Sequence, residues 1–309
     1  MHDASILDTI GNTPLVRLAH IPPSTGAEIW VKLEYNPTGS MKDRMALSMI
    51  EGAERDGLLE PGTTVVEYTG GSTGPALALV CRVKGYSARI VISECFSEER
   101  MQLMRALGAE LELIPAVEER GRVTAQDISN MVERAAELAR EPGMYATDQF
   151  NDPYAIPGHR EHLGREIWEQ TGGGVAAFCH GIGTAGSLMG ISEALKGRNH
   201  DVRVVALEPA GSAAISGGAA GSFAVQGWTG VVPPHWDADR VDGVWPIEDD
   251  DAIAMTLRLA REEGIFAGVS TGANVVGALR LAEELPPGAM VVTLAVDSGF
   301  KYMGGPPYA

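Results

Sequence analysis

The sequence predicts an α/β fold with a mostly parallel sheet. Short apolar runs of strand length alternate with segments whose apolar residues recur at helical spacing, almost from end to end of the 309 residues. Strands separated by helices are joined by right-handed crossovers, which make neighbouring strands parallel. Several of the 38 glycines are grouped where a predicted strand is followed by a helix. Such junctions lie at the carboxyl ends of parallel strands, where open α/β sheets bind ligands.

The predicted elements follow from apolar runs and helical periodicity. In chain order the strands are residues 28–33, 63–68, 89–93, 111–114, 175–180, 202–207 and 289–296. Helices are predicted at 75–84, 188–196, 249–263 and 273–284, and two further helix faces are predicted from Met41, Met45, Met49 and Ala53 and from Ile128, Met131, Val132 and Ala135. A chain of this length is expected to form two domains or one two-lobed unit.

Composition and charge exclude several classes of function. The 24 basic and 41 acidic residues give a net charge of −17, and the sequence lacks the basic run that a nucleic-acid-binding protein needs. No apolar run approaches the roughly 18 residues that cross a bilayer. Residues 1–4 lack the basic and apolar regions of an export signal, so we expect a cytoplasmic protein.

The cysteines and histidines do not form a metal-binding pattern. Cys81, Cys95 and Cys179 are too few and too far apart for a disulfide framework or a zinc site. His159 and His162 have the spacing of a ligand pair, but no cysteine partner or HExxH motif accompanies them. We therefore expect a structural role for both histidines and no metal ion.

The first glycine-rich junction, residues 69–74, connects the strand 63–68 to a helix. Pro75 suits the first helical turn, where its missing N–H would have no partner anyway. A helix N-terminus with free N–H groups and flanking hydroxyls can bind an anion, and glycines let the backbone approach it closely. An ordinary glycine-rich turn fits the same residues equally well.

The second junction, residues 181–187, allows two interpretations. It reads G-x-G-x-x-G, and Glu208 ends the next strand at about the distance expected for the ribose-binding acid of an NAD(P)-binding fold. That fingerprint normally opens its domain, however, whereas this one lies in mid-chain. The same loop, with the hydroxyls of Thr184 and Ser187, could instead hold one phosphate monoester. The loop alone favours neither interpretation.

Lys42 follows a proline- and glycine-containing turn at residues 36–41 and is predicted to begin a helix. An ammonium group there opposes the helix dipole, which favours the neutral amine. A neutral lysine can form a Schiff base with an aldehyde cofactor that carries a phosphate. A solvated surface position is the usual one for a lysine, and the spacing alone does not outweigh that interpretation.

Taken in order, these motifs resemble those of the cysteine synthase and cystathionine β-synthase family, which are fold-type II pyridoxal-phosphate enzymes. The resemblance runs from residues 10–15 (Ile-Gly-Asn-Thr-Pro-Leu) to residues 297–299 (Asp-Ser-Gly). It implies two three-layer αβα lobes with mostly parallel sheets and pyridoxal 5′-phosphate between them. Residues 36–150 would form the smaller, mobile lobe, with the segment 97–111, including Arg100, closing over substrate. Residues 11–35 and 151–309 would form the larger, cofactor-binding lobe. The family also implies a homodimer.

The resemblance assigns roles to individual residues. Lys42 would carry the cofactor and act in catalysis. The remaining cofactor contacts would be Ser72, Gly183, Thr184, Ala185, Gly186, Ser187 and Ser298. The substrate contacts would be Thr69, Gly70, Gly71, Ser72, Thr73, Gln149, Trp228 and Thr229. Ser298 would hydrogen-bond the pyridine nitrogen, and since successive strand side chains point to opposite faces, the adjacent Asp297 would not. A neutral hydroxyl makes the ring a weaker electron sink, which suits β-elimination and β-replacement better than transamination.

Three departures from the family pattern concern these sites. The family usually has Ser-Gly-Asn where this chain has Gly70-Gly71-Ser72, which removes one hydroxyl and shortens the donor to the cofactor's 3′-oxygen. A Gly-x-Gly segment of the substrate pocket reads Gly227-Trp228-Thr229, which adds bulk. Thr-Gly-Gly in the phosphate loop has become Thr184-Ala185-Gly186. We therefore expect a retained cofactor site and an altered substrate site.

The expected reaction is β-replacement on an O-activated L-serine, either O-acetylserine or O-phosphoserine. Sulfide or another nucleophile would give L-cysteine or a β-substituted alanine. The first alternative is β-elimination without replacement, as in a serine/threonine dehydratase or a cysteine desulfhydrase, because it needs the same residues. More remote alternatives are an NAD(P)-dependent oxidoreductase built on residues 181–186 and a non-catalytic binding homologue.

Overall fold

The computed structural model describes residues 5–23, 26–119 and 123–308, so residues 1–4, on which the export-signal prediction rests, lie outside it. The strands are β1 (Leu15–Arg17), β2 (Glu28–Leu33), β3 (Thr64–Tyr68), β4 (Ser87–Ser93), β5 (Glu110–Ile114), β6 (Met144–Ala146), β7 (Val175–Gly181), β8 (Arg203–Pro209), β9 (Gly243–Ile247) and β10 (Met290–Ala295). The helices are α1 (Lys42–Arg55), α2 (Thr73–Lys84), α3 (Glu98–Ala106), α4 (Ala125–Leu138), α5 (Ala155–Gly158), α6 (Arg165–Gln170), α7 (Gly186–Lys196), α8 (Asp249–Arg258) and α9 (Val269–Glu283). Two π-helical segments, His159–Gly164 and Leu259–Glu263, follow α5 and α8.

The chain divides into two compact units. The first consists of Met1–Ile10 and Lys42–Ala155, and the second of Gly11–Met41 and Ile156–Ala309. The family resemblance implies the corresponding boundaries at residues 36 and 150. The change of unit at Lys42 coincides with the start of α1.

The sheet of the second unit has the strand order β1-β2-β10-β7-β8-β9 among the described residues. All pairs in it are parallel except β1 with β2. Because β10 lies between β2 and β7, the segments that follow these three strands leave the sheet at one edge. They are the turn before Lys42, the 181–187 loop and the segment that contains Ser298.

The sheet of the first unit is parallel, with the strand order β5-β4-β3-β6 among the described residues. Since β3 lies between β4 and β6, the loops that follow these strands meet at the carboxyl edge of this sheet. They are the 69–72 loop, the segment 94–97 and the segment 147–150.

Each sheet is covered by helices on both faces, because alternate strand residues point to opposite sides. In β10, Val291 packs in the cluster that contains α9 residues, whereas Val292 packs in the cluster that contains α7 residues. In β3, Val65 packs with α1, α2 and α3, whereas Val66 packs with α4. Each fully buried aliphatic side chain contributes roughly 1.5–3 kcal/mol. The α/β prediction with mostly parallel sheets is confirmed.

Two predicted helix faces differ from the structure in detail. Met41 precedes α1 and packs in the core of the second unit, whereas Met45, Met49 and Ala53 form the buried face of α1 in the first. On α4, Met131 and Ala135 are buried, whereas Ile128 and Val132 remain 38% and 39% exposed. The last two lie at the margin of the apolar stripe, which is broader than the surface it covers.

The short strands β1, β6 and β9 were not predicted. Each has three to five residues, and β9 contains Pro246. Runs this short contain too few alternations to give a strand signal, and their position beside a longer strand stabilises them.

Candidate active site

The turn before Lys42 is held by side chains of the second unit. Asn36 Oδ1 accepts a hydrogen bond from the Gly11 N–H at 2.9 Å. Its Nδ2 donates to Glu34 Oε2 at 3.0 Å and to the Ser40 carbonyl oxygen at 3.1 Å. The Met41 N–H donates to the carbonyl oxygen of Val296, just after β10. The residues that immediately precede Lys42 therefore have a fixed backbone path.

Lys42 is the first residue of α1, as predicted, and its side chain is partly buried. Burial lowers the pKa of the Lys42 ammonium to about 8, and the carboxylate of Glu67 opposes this shift. The helix dipole invoked from the sequence acts in the same direction as burial. A lysine with this pKa supplies neutral amine near physiological pH.

The 69–73 loop joins β3 to α2 and is braced by its own hydroxyls. Thr69 Oγ1 accepts a hydrogen bond from the Gly71 N–H at 3.0 Å. The Thr73 hydroxyl donates to Gln149 Oε1 at 2.7 Å, and both side chains are buried. The structure thus joins two of the predicted substrate contacts, Thr73 and Gln149, although they are 76 residues apart.

Glu67, which the sequence analysis did not single out, ties this loop to the segment that contains Gln149. Its carboxylate accepts hydrogen bonds from the Thr147 hydroxyl at 2.8 Å, the Gln149 N–H at 3.1 Å and the Tyr68 N–H at 3.1 Å. The residue is 1% exposed, and burial raises the pKa of its carboxyl to about 8 despite these donors. An acid in the last two residues of a predicted strand is the sequence signal for it, and that signal is weak.

Gly70 lies against an aromatic ring. A Cβ atom on Gly70 would lie 2.0 Å from Phe96 Cζ, so no side chain fits there while Phe96 keeps its place. Arg100 Nη1 donates to the Gly70 carbonyl oxygen at 2.7 Å, and the guanidinium carbon lies 6.0 Å from the centre of the Phe96 ring. The departure at Gly70 is therefore matched by Phe96, which fills the space of a side chain.

The 181–187 loop presents unpaired backbone donors. Among the described residues, none accepts a hydrogen bond from the backbone N–H groups of residues 183–187. Gly183 must be glycine, because a Cβ atom there would lie 2.5 Å from the Gly227 carbonyl oxygen. Ala185 adopts a left-handed conformation with φ of 66°, directly before α7. Free N–H groups at a helix start, with the hydroxyls of Thr184 and Ser187, fit the phosphate of pyridoxal phosphate.

The rival NAD(P) interpretation needs Glu208 to be available for a ribose. Glu208 is 1% exposed, and its carboxylate accepts hydrogen bonds from the backbone N–H groups of Ile215 and Ser216 at 2.9 and 3.2 Å. It therefore supports the chain that follows β8. Because Glu208 is hydrogen-bonded in this way, the 181–187 loop lacks the acid that would bind the ribose of a dinucleotide.

Ser298 and Asp297 are placed differently after β10. Ser298 is partly exposed; its N–H donates to the Gly39 carbonyl oxygen at 2.9 Å, and its Oγ accepts from the Phe300 N–H at 3.3 Å. Asp297 is 4% exposed and accepts a hydrogen bond from the Tyr302 hydroxyl at 2.8 Å. The carboxylate of Asp297 is thus already hydrogen-bonded within the second unit. Ser298 is more accessible, and its hydrogen bond to the pyridine nitrogen stays a prediction.

Trp228 and Thr229 lie beside the phosphate loop. The indole is 9% exposed and packs on Gly181, where an added Cβ would lie 2.0 Å from Trp228 Nε1. The Thr229 N–H donates to the Ile182 carbonyl oxygen at 2.8 Å. The bulk that the sequence assigned to the substrate pocket is therefore buried in the core of the second unit. The side chain of Thr229 is more accessible than that of Trp228.

The described residues form neither a metal-binding cluster nor a membrane-spanning helix. In the described ranges, no group of three or more His, Cys, Asp or Glu side chains is placed to hold a metal ion. No described helix is both long enough and apolar enough to cross a bilayer.

Comparisons with known proteins agree with the motifs. The family described as pyridoxal-phosphate dependent enzyme matches residues 6–297. A cysteine synthase of Staphylococcus aureus strain Mu50 is 40% identical over 308 residues, which are 99% of this chain and 97% of that protein.

Two solved structures show the same fold over nearly the whole chain. A hydrogen sulfide-producing enzyme from Fusobacterium nucleatum has a TM-score of 0.90 and 38% identity, with 98% of each chain covered. An O-acetylserine-dependent cystathionine β-synthase from Helicobacter pylori has a TM-score of 0.91 and 33% identity, with 100% of each chain covered. The chain therefore belongs to the cysteine synthase and cystathionine β-synthase family of fold-type II enzymes, and pyridoxal phosphate is its cofactor.

Proposed function

We propose that this enzyme catalyses β-replacement on an O-activated L-serine, O-acetylserine or O-phosphoserine. The leaving group departs from Cβ after the Cα proton has been removed, and sulfide or another nucleophile then bonds to Cβ, which gives L-cysteine or a β-substituted alanine. The observation that carries the proposal is a lysine of lowered pKa in the same unit as the hydroxyl- and amide-lined 69–73 loop. The similarity to a cysteine synthase and to an O-acetylserine-dependent enzyme supports it.

Different residues of the chain hold the substrate, hold the cofactor and transfer the proton. The substrate carboxylate is held by Thr69, Gly70, Gly71, Ser72, Thr73 and Gln149, and the substrate is bordered by Thr229, whose neighbour Trp228 is buried. Thr184, Ser187 and the loop N–H groups hold the cofactor phosphate, Ser72 the 3′-oxygen and Ser298 the pyridine nitrogen. When bound, pyridoxal phosphate supplies an electron sink for negative charge at the substrate Cα. Lys42 holds the cofactor and takes the Cα proton as general base.

Substitution of Lys42 tests this assignment. Lys42→Ala should abolish turnover of both O-acetylserine and O-phosphoserine, because the general base and the cofactor anchor are lost together. Lys196→Ala is the matched control, since Lys196 forms a surface ion pair with Asp242. Steady-state assays of L-cysteine formation measure both variants. Full activity in Lys42→Ala would contradict the mechanism.

β-Elimination is the second candidate, favoured by the similarity to a hydrogen sulfide-producing enzyme. Elimination and replacement share the residues above and differ in whether a second nucleophile bonds to Cβ before the product leaves. Product analysis with and without added sulfide separates them. Pyruvate formation that is insensitive to sulfide would identify an eliminase.

The proposal extends to the organisation of the enzyme. The first unit, which contains most of residues 36–150, is the mobile one, and the Arg100–Gly70 hydrogen bond links its closing segment, 97–111, to the substrate loop. The enzyme acts as a homodimer in the cytoplasm. Its three cysteines are free and buried, which suits a reducing compartment. Light scattering should give about twice the chain mass of 32.7 kDa.

A further inference from the structure

His180 is a buried histidine to which neither the sequence analysis nor the mechanism assigns a role. It lies in β7, directly before the 181–187 loop, and is 3% exposed. Its ring nitrogens face two other buried side chains of the second unit. Nε2 lies 3.0 Å from Ser187 Oγ in the first turn of α7, and Nδ1 lies 3.2 Å from Asn274 Nδ2 on α9.

The orientation of the Asn274 amide is fixed by two backbone groups. Its Oδ1 accepts a hydrogen bond from the Gly181 N–H at 2.9 Å, and its Nδ2 donates to the Leu294 carbonyl oxygen at 2.9 Å. Rotating the amide by 180° would oppose donor to donor and acceptor to acceptor at these two contacts. The second hydrogen of Nδ2 is therefore the one that faces His180.

This orientation determines the tautomer of His180. Because Asn274 Nδ2 is a donor, His180 Nδ1 accepts, and the single proton of the neutral imidazole lies on Nε2. Nε2–H then donates to Ser187 Oγ. With its lone pair engaged by His180, the hydroxyl of Ser187 has its own hydrogen left to donate elsewhere.

We propose that His180, oriented by Asn274, is a positioning residue that fixes the Ser187 hydroxyl as a hydrogen-bond donor to the cofactor phosphate. The inference rests on the phosphate role proposed above for residues 183–187. The reverse tautomer would leave Nε2 as an acceptor, which would attract the Ser187 hydrogen away from the anion. Hydrogen bonds to charged groups are stronger than neutral ones, so the direction of this hydroxyl matters for binding.

The test compares pyridoxal phosphate with pyridoxal, which lacks the phosphate, as ligands of the full-length apoenzyme. Ser187→Ala should weaken pyridoxal phosphate binding by about tenfold or more, the range expected for a hydrogen bond to a charged group. His180→Asn, whose amide is too short to reach Ser187, should weaken it by about fivefold. His180→Gln, which places an amide N–H near the Nε2 position, should restore most of the affinity. Binding of pyridoxal should not change in any of these variants.

Double variants separate this proposal from the phosphate-loop assignment. His180→Asn should have no further effect when Ser187 is already alanine, but should add its full effect to that of Thr184→Ala. Additive effects with Ser187→Ala, or an equal loss of pyridoxal binding, would overturn the positioning role alone. If neither Ser187→Ala nor Thr184→Ala changed the preference for pyridoxal phosphate over pyridoxal, the phosphate loop itself would be wrongly assigned.

A measurement on the unsubstituted enzyme removes any dependence on the folding of variants. The nitrogen-15 chemical shifts of His180 in histidine-labelled holoenzyme report which ring nitrogen carries the proton. A protonated Nε2 with an unprotonated Nδ1 is expected. The opposite tautomer would overturn the proposal.

Discussion

Ala185 adopts a backbone conformation that favours glycine, the residue the family pattern has at this position. A left-handed φ costs an alanine roughly 1–2 kcal/mol. Replacement by glycine relieves this cost. It also stabilises the unfolded state by about 0.4–1 kcal/mol, because glycine has more conformational freedom there, and it removes a buried methyl group worth about 0.8 kcal/mol. Because these terms nearly cancel, Ala185→Gly should change the free energy of unfolding by less than about 0.5 kcal/mol.

Urea unfolding of Ala185→Gly and of a control variant, Ala254→Gly, checks this balance. Ala254 is exposed in the interior of α8 in the same unit, so Ala254→Gly should cost the full helix penalty of about 1 kcal/mol. A loss of similar size in Ala185→Gly would mean that the backbone at 185 carries no strain.

The lowered pKa of Lys42 should be visible in the kinetics of cofactor capture. Only the neutral amine attacks the aldehyde, and its fraction rises with pH until the pKa is passed. With a pKa of about 8 rather than the ordinary 10.5, the rate constant for pyridoxal phosphate capture by the apoenzyme should level off above about pH 8. Stopped-flow absorbance over a range of pH measures this.

Glu67 should shift that profile in a defined direction. Its negative charge raises the pKa of Lys42, so Glu67→Gln should move the midpoint to lower pH. Glu110→Gln is the control, because that carboxylate is exposed and pairs with Arg89 at the surface. A midpoint near 10.5 in the unsubstituted enzyme, or no shift in Glu67→Gln, would contradict the electrostatic account.

At the scale of elements, the substrate loop and the segment that leads into α3 are complementary in shape. Restoring the family's serine with Gly70→Ser forces Phe96 to move, because the new Cβ overlaps the ring. The KM for the amino-acid substrate should therefore rise by about tenfold, equivalent to about 1.4 kcal/mol, with a smaller change in kcat.

The double variant Gly70→Ser/Phe96→Ala provides the control for this prediction. Phe96→Ala alone should have a small effect, and in combination it should return most of the lost affinity, since it vacates the space that the introduced hydroxymethyl group needs. Steady-state kinetics of all four forms give the coupling. If the two substitutions were additive in KM, the ring and the glycine would be independent.

At the scale of the whole molecule, the net charge of −17 should influence the choice between the two candidate donors. O-Phosphoserine is anionic near neutral pH, whereas O-acetylserine is a zwitterion, so long-range repulsion acts on the first only. Its kcat/KM should rise as salt is increased from about 0.01 M to 0.15 M, where the screening length falls from about 30 Å to 8 Å. The value for O-acetylserine should stay constant. A fall with salt for O-phosphoserine would indicate that positive groups near the site outweigh the net charge.

The sequence by itself determined the fold class, the order of the main elements and the family. Strands 28–33 and 175–180, the start of α1 at Lys42 and the two glycine-rich junctions all follow from local periodicity and turn chemistry. These signals are local, because each depends on residues within one turn or one strand. Edge strands such as β9 were missed because they are stabilised by neighbours in the sheet rather than by their own pattern.

The tertiary structure alone decided which side chains support the site. Gln149 meets Thr73 across 76 residues, and Asn274 meets His180 across 94. Phe96 fills the space above Gly70, and the indole of Trp228 is buried beneath the phosphate loop. Such contacts depend on strand order, register and rotamers, which are set by the packing of elements far apart in the chain. The pKa of Lys42 belongs with them, because burial and the carboxylate of Glu67, both products of that packing, determine it.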